Sequence, residues 1–233
     1  VHLLKKESVS KFLYYIVLVV LLTSCTIGLE ENTRVLTQTR VVDNSGQPLS
    51  GVTVKVFGIQ RTDNPFAQLG NGVTDINGAV NIPSFHLATG TTQLVYNAAA
   101  SPRIAVTYFI DSRVYENNLS FDTGDVRLLT AASLTINFVN TTMTQVDVPY
   151  ELTYKVPDCR QYINAQGAVD SARSFCYEPF TGSYRLTALS TTTTRTLTTL
   201  LDSQVLVNYV VNNVRFTEVI AVTALDTSYE INY

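Results

Sequence analysis

The chain has 233 residues, enough for one large or two ordinary domains at the usual ~100–200 residues each. Hydrophobic residues make up 45% and charged residues 15%, which excludes an intrinsically disordered chain or an acidic tail. A net charge of -3 offers no basic stripe to neutralise phosphates, so nucleic acid is not an expected partner.

In chain order, Lys5, Lys6 and Lys11 precede an apolar run from Phe12 to Leu22, and Thr23-Ser24-Cys25 follows. That order predicts a secretory signal over residues 1–24. An apolar run of that length, coiled as a helix, rises about 16 Å at ~1.5 Å per residue, well short of the roughly 30 Å hydrocarbon core, so removal is expected rather than a permanent span. The small residues before Cys25 resemble the lipobox of bacterial lipoproteins, in which that cysteine becomes the acylated first residue of the mature chain. The resemblance implies lipidation at Cys25, a linker over 25–33, and an outer-membrane protein on either the periplasmic or the cell-surface face. Cleavage removes three lysines and a single acid, Glu7, so the mature chain is more anionic than the whole. Attachment to an anionic membrane then has to come from acyl chains rather than from charge.

Beyond Cys25, alternating apolar and polar positions separated by turn residues predict an all-β protein. Strands are expected over 35–42, 52–57, 72–74, 79–82, 93–96, 104–110 and 125–129. A second series covers 134–139, 150–156, 184–189, 194–200, 205–211, 214–223 and 228–231. Asn212-Asn213 predicts a tight hairpin, because Asn accepts positive φ better than most residues. Seven strands on each side of Ala131-Ala132 imply two consecutive β-sandwiches, over residues 34–130 and 132–233.

The run Val41-Val42-Asp43-Asn44-Ser45-Gly46-Gln47-Pro48-Leu49-Ser50-Gly51-Val52-Thr53-Val54 resembles the opening of carboxypeptidase-regulatory-like domains, which have a prealbumin (transthyretin-like) β-sandwich. The resemblance continues in Val73-Thr74-Asp75-Ile76-Asn77-Gly78-Ala79-Val80 and in Asp122-Thr123-Gly124-Asp125-Val126, as in many lipoproteins of Bacteroidota. Residues 61–70 depart from it as an insertion. The fold serves as an appendage to peptidases, transporters and surface lipoproteins, and so does not itself deliver a function.

With Cys25 assigned to lipid, Cys159 and Cys176 form an even pair in an exported chain, which predicts a disulfide; two separately buried thiols are the alternative. No metal site or cofactor is expected, since no CxxC spacing occurs and His86 is the only histidine after the signal. Ser84 and His86 share a face only if their segment is extended, and a loop after Pro83 is the plainer reading. Neither a Gly-x-Ser-x-Gly elbow nor a phosphate loop is present, so no catalytic residue is assigned. Asp43-Asn44 and Asp75-Asn77 read as turn formers rather than calcium ligands.

The candidate binding surface is the 159–180 excursion and its aromatics, Tyr162, Phe175, Tyr177, Phe180 and Tyr184, because a stapled long loop on a rigid sandwich presents side chains well. The function expected is that of a non-catalytic outer-membrane lipoprotein, a structural or interaction module bound to an envelope protein. The alternative is a surface glycan-binding lipoprotein beside a nutrient importer, which a row of solvent-exposed rings on the second domain would favour and buried rings would count against.

Overall fold

The computed structural model describes residues 29–59, 67–97, 102–142, 147–187 and 191–233. The first sandwich uses β1 (Leu29–Val42), β2 (Thr53–Ile59), β3 (Ala67–Val73), β4 (Ala79–Leu87), β5 (Thr91–Asn97), β6 (Val106–Asp111) and β7 (Ser120–Arg127). One sheet runs β4-β1-β7 and the other contains β6-β5-β2-β3. Their facing sides carry Val41, Val54, Val56, Ile82, Leu94, Ile110 and Val126, all fully or almost fully buried. β-branched residues dominate because they fit a pleated, enclosed face, each contributing about 1.5–3 kcal/mol by leaving water.

The second sandwich uses β8 (Ala131–Val139), β9 (Val148–Lys155), β12 (Pro179–Leu186), β13 (Thr192–Leu200), β14 (Ser203–Val211), β15 (Val214–Val222) and β16 (Asp226–Asn232). Its sheets run β12-β9-β14-β15 and β13-β8-β16. Along β8 the alternation is strict: Leu134, Ile136 and Phe138 are buried and Thr135 and Asn137 point away. Asn212 and Asn213, at φ 50° and 65°, make the expected tight hairpin between β14 and β15. The two sandwiches have separate hydrophobic cores.

Two short strands complete the fold, β10 (Cys159–Ile163) and β11 (Phe175–Cys176). Sequence reading leaves this stretch as a loop of the second domain. The structure instead adds β10, in parallel, to the free edge of β6 in the first sandwich, pairing Cys159 with Val106 and Ile163 with Ile110. The reason is burial: Cys159 and Ile163 belong to the first core. The stretch expected as an insertion is in part regular too, since Ala67–Val73 pairs with β2, whereas residues 60–66 lie outside those described.

The turn chemistry that carried the family resemblance has a visible cause. Asp43 Oδ1 accepts from Ser45 N, Ser45 Oγ and Gln47 N, and Asp75 Oδ1 accepts from Asn77 N and Ala79 N. The Ser45 hydroxyl is the main reason the Asp43 carboxyl titrates below its ordinary range. Both carboxylates are spent on their own turns. Gly78, at φ +73°, lies where any Cβ would strike the Val41 carbonyl, and it accepts from Val41 N at 2.8 Å. Thr74 Oγ1 closes the corner, donating to the Leu49 carbonyl at 2.6 Å and accepting from Val52 N at 2.9 Å.

Candidate functional site

The aromatics singled out in the sequence fall into two groups. Tyr162, Phe175 and Tyr177 sit on the excursion and lie against the first sandwich. The Tyr162 ring stacks on Phe109 at 4.7 Å, and the Arg173 guanidinium lies 4.2 Å from its centroid. Asp111, Asn164 and Asp170 join them around a small cleft of about 120 Å³. Phe175 is at the surface beside Arg160. The Tyr177 hydroxyl donates to the Arg127 carbonyl at 3.2 Å, and burial raises its pKa above the ordinary tyrosine value.

Phe180 and Tyr184 belong to β12 of the second sandwich. They flank Gly182, whose missing side chain leaves room for both rings. Phe180 meets Tyr154 edge-on and is 44% exposed, and Tyr184 stacks on Tyr150 with Arg195 4.4 Å from its centroid. The excursion is therefore not one continuous aromatic surface. Cys159 and Cys176 are joined as expected. Cys25 lies outside the described residues.

Strand register exposes a feature that the sequence reading missed. Tyr184, Tyr150, Tyr209 and Phe216 stand opposite one another on β12, β9, β14 and β15, forming a row of rings across the whole sheet. Tyr150 and Tyr209 each lie two residues from the buried Leu152 and Val207 and so share their face, which puts the row on the inner side. Burial is the chief cause of the raised pKa of both tyrosines. The outer face of the same sheet bears a polar row, Ser183, Glu151, Asn208 and Thr217, in an open groove of about 440 Å³. Thr217 donates to Asn208 Oδ1 at 2.8 Å. Alternation along each strand was the available signal; the pairing of four distant strands was not.

Ser84 and His86 do share one face, because Ala79–Leu87 is a strand rather than the loop expected after Pro83. That face is the interior: Ser84 is 1% and His86 5% exposed. His86 Nε2 is 3.3 Å from the Ser112 carbonyl oxygen. The pair is buried between the sheets. Among the described residues no group of three or more His, Cys, Asp or Glu could hold a metal ion. No described helix is long and apolar enough to cross a membrane.

No family model and no curated protein matches the chain. Solved structures show distant likeness. A streptococcal ancillary pilin is 11% identical, with 87% of this chain and 63% of that one covered and a TM-score of 0.33. A candidate cell adhesion protein from Bacteroides ovatus is 12% identical, with 87% and 93% covered and a TM-score of 0.29. A 9R-lipoxygenase from Cyanothece is 17% identical over 45% of this chain; the chain spans 18% of the lipoxygenase's length, and the TM-score is 0.31. At such TM-scores these likenesses carry no argument about activity.

Proposed function

We propose that the chain is a non-catalytic outer-membrane lipoprotein, held by acyl chains on Cys25 and serving as a structural or interaction module in a cell-envelope assembly. The observation that carries this reading is the bond between Cys159 and Cys176 in a chain whose described residues fold as two β-sandwiches. Such a bond persists in an oxidising compartment beyond the cytoplasm, where a secretory signal would deliver the chain. The anionic mature chain needs lipid rather than charge to stay at a membrane. The first sandwich, with its Asp43 and Asp75 turns locked at one corner, fits a carboxypeptidase-regulatory-like spacer next to the anchor. The enclosure of Ser84 and His86 supports a role without covalent chemistry at that pair. The inward direction of Tyr150 and Tyr209 counts against a flat sugar-binding platform on the second sandwich.

Metabolic labelling with a fatty-acid probe tests the anchor. Label should enter the wild-type chain and be lost in Cys25→Ser; an unlabelled wild-type chain overturns the reading. Pull-down from detergent-solubilised membranes should then recover a stable envelope partner, and recovery of the chain alone overturns the assembly role.

A further inference from the structure

The segment between β9 and β12 leaves the second sandwich at Lys155 and returns to it at Pro179, since those two residues pair. In between it packs on the first sandwich. β10 lies along β6 for five residue pairs, from Cys159 opposite Val106 to Ile163 opposite Ile110. Cys159 and Ile163 are buried in the first core, with Cys176 and Tyr177 packed against it. The tip is tied down as well: Asn164 Oδ1 accepts from Gln166 N and Ala168 N, and Gly167 at φ +78° fits against Phe121 and Val114. At the base, Leu129 N donates to the Tyr177 hydroxyl at 3.5 Å, next to the covalent joint, where Leu201 N donates to the Thr130 carbonyl at 2.9 Å.

We propose that this tongue is a strap fixing the second sandwich against the first, and that the Cys159–Cys176 bond is its clasp. Connection at Thr130 alone would leave the second sandwich free to swivel about one point. Docking of the tongue supplies a second point and removes that freedom. The clasp is needed because β10 and β11 pair over only two positions, Cys159 with Cys176 and Arg160 with Phe175, too few to hold a two-stranded ribbon in water. Closing a loop of about 18 residues favours the docked tongue roughly 100-fold over an unclasped one.

A dithiol reductant opens the clasp in two exchange steps. Cys159 is 2% exposed and Cys176 more open, so an incoming thiolate attacks Cys176 Sγ, forming a mixed disulfide and expelling Cys159 as a thiolate, which takes up a proton. The second thiol of the reductant, as its thiolate, closes on the first and expels the Cys176 thiolate, which is protonated in turn. The reductant ends as a cyclic disulfide and the protein as two thiols. Expulsion of Cys159 into an apolar core is unfavourable, so the reaction runs fastest on an undocked tongue.

Hydrogen exchange on the full chain, with and without dithiothreitol, tests the proposal. Reduction should accelerate exchange over 106–110 and 159–163 by about 100-fold and leave 131–139 and 205–209 unchanged. The Cys159→Ser/Cys176→Ser chain should match it without reductant. Unchanged protection of 106–110, or equal loss over 131–139, overturns the strap. Small-angle scattering should broaden on reduction, and an unchanged curve overturns the orienting role. Tyr177→Phe removes the hydroxyl bonds at the base and should speed reduction about fivefold; an unaltered rate overturns the link between docking and reduction.

Discussion

The two sandwiches bury their tyrosines in opposite ways. In the first, Tyr96 and Tyr115 are fully enclosed; the Tyr96 hydroxyl bonds across the sheets to Thr39 at 3.3 Å, and that of Tyr115, on the short helical turn Ser112–Tyr115 after β6, bonds to Thr37 at 2.8 Å. In the second, Tyr150 and Tyr209 sit midway along a row of rings that runs out to the half-buried Tyr184 and the exposed Phe216. The first interior thus seals its tyrosines into polar pairs, in which Thr37 and Thr39 replace apolar residues on β1, while the buried Ser84 and Ser112 hydroxyls have no hydrogen-bond partner among the described residues. The second is an apolar slab with open ends. Each tyrosine–threonine pair favours one arrangement of the elements that it joins, because a shift would strand both hydroxyls. The apolar slab depends on volume instead.

The contrast can be broken most forcefully at Phe138, fully buried and packed on Tyr150. Phe138→Ala should destabilise the second sandwich by about 3–5 kcal/mol. Hydrogen exchange over 131–139 should accelerate while 53–59 stays protected; joint loss would mean that the two cores melt as one.

Alkaline titration comes next. Burial raises the pKa values of Tyr96 and Tyr115 in the first sandwich and, with smaller burial, of Tyr150 and Tyr209 in the second. A raised tyrosine means that the folded state keeps a proton which the unfolded chain releases. That stabilisation is complete below pH 10 and is lost as pH climbs from there toward the folded value. Chemical denaturation between pH 8 and 11.5 should show the first sandwich weakening more steeply. Equal slopes would remove the distinction between sealed and open interiors.

A finer cut is Tyr115→Phe, which leaves Thr37 Oγ1 buried without its tyrosine partner and should cost about 1–3 kcal/mol in the first sandwich alone. Urea midpoints read from segment-resolved exchange would check it. Smallest is Arg40→Ala, which removes a surface ion pair with Asp125 at 3.1 Å. Both partners are about half exposed, so the expected loss is below ~1 kcal/mol, measurable as a barely shifted Tm.

Much of the fold was legible in the sequence, whereas the tyrosine contrast was not, and what was illegible has a common cause. Alternation along 134–139, the Asn212-Asn213 turn and the Asp43 and Asp75 corners depend on residues a few positions apart, so local chemistry was enough. The docking of β10 on β6 pairs residues about fifty positions apart, and its only local trace is a five-residue run with two buried side chains. Ser84 and His86 were misjudged for a related reason: Pro83 reads as a break, yet β4 is an edge strand, where a proline is tolerated. The aromatic row was invisible because it exists only in register across four strands.

The parallel pairing of β10 with β6 also bears on the order in which the polypeptide folds. As the chain folds, the first seven strands can assemble among themselves, but the outer flank of Val106–Asp111 has no covering neighbour until Cys159–Ile163 docks on it. Until then the folding chain exposes an unsatisfied row of amides and carbonyls, which another copy at the same stage can capture.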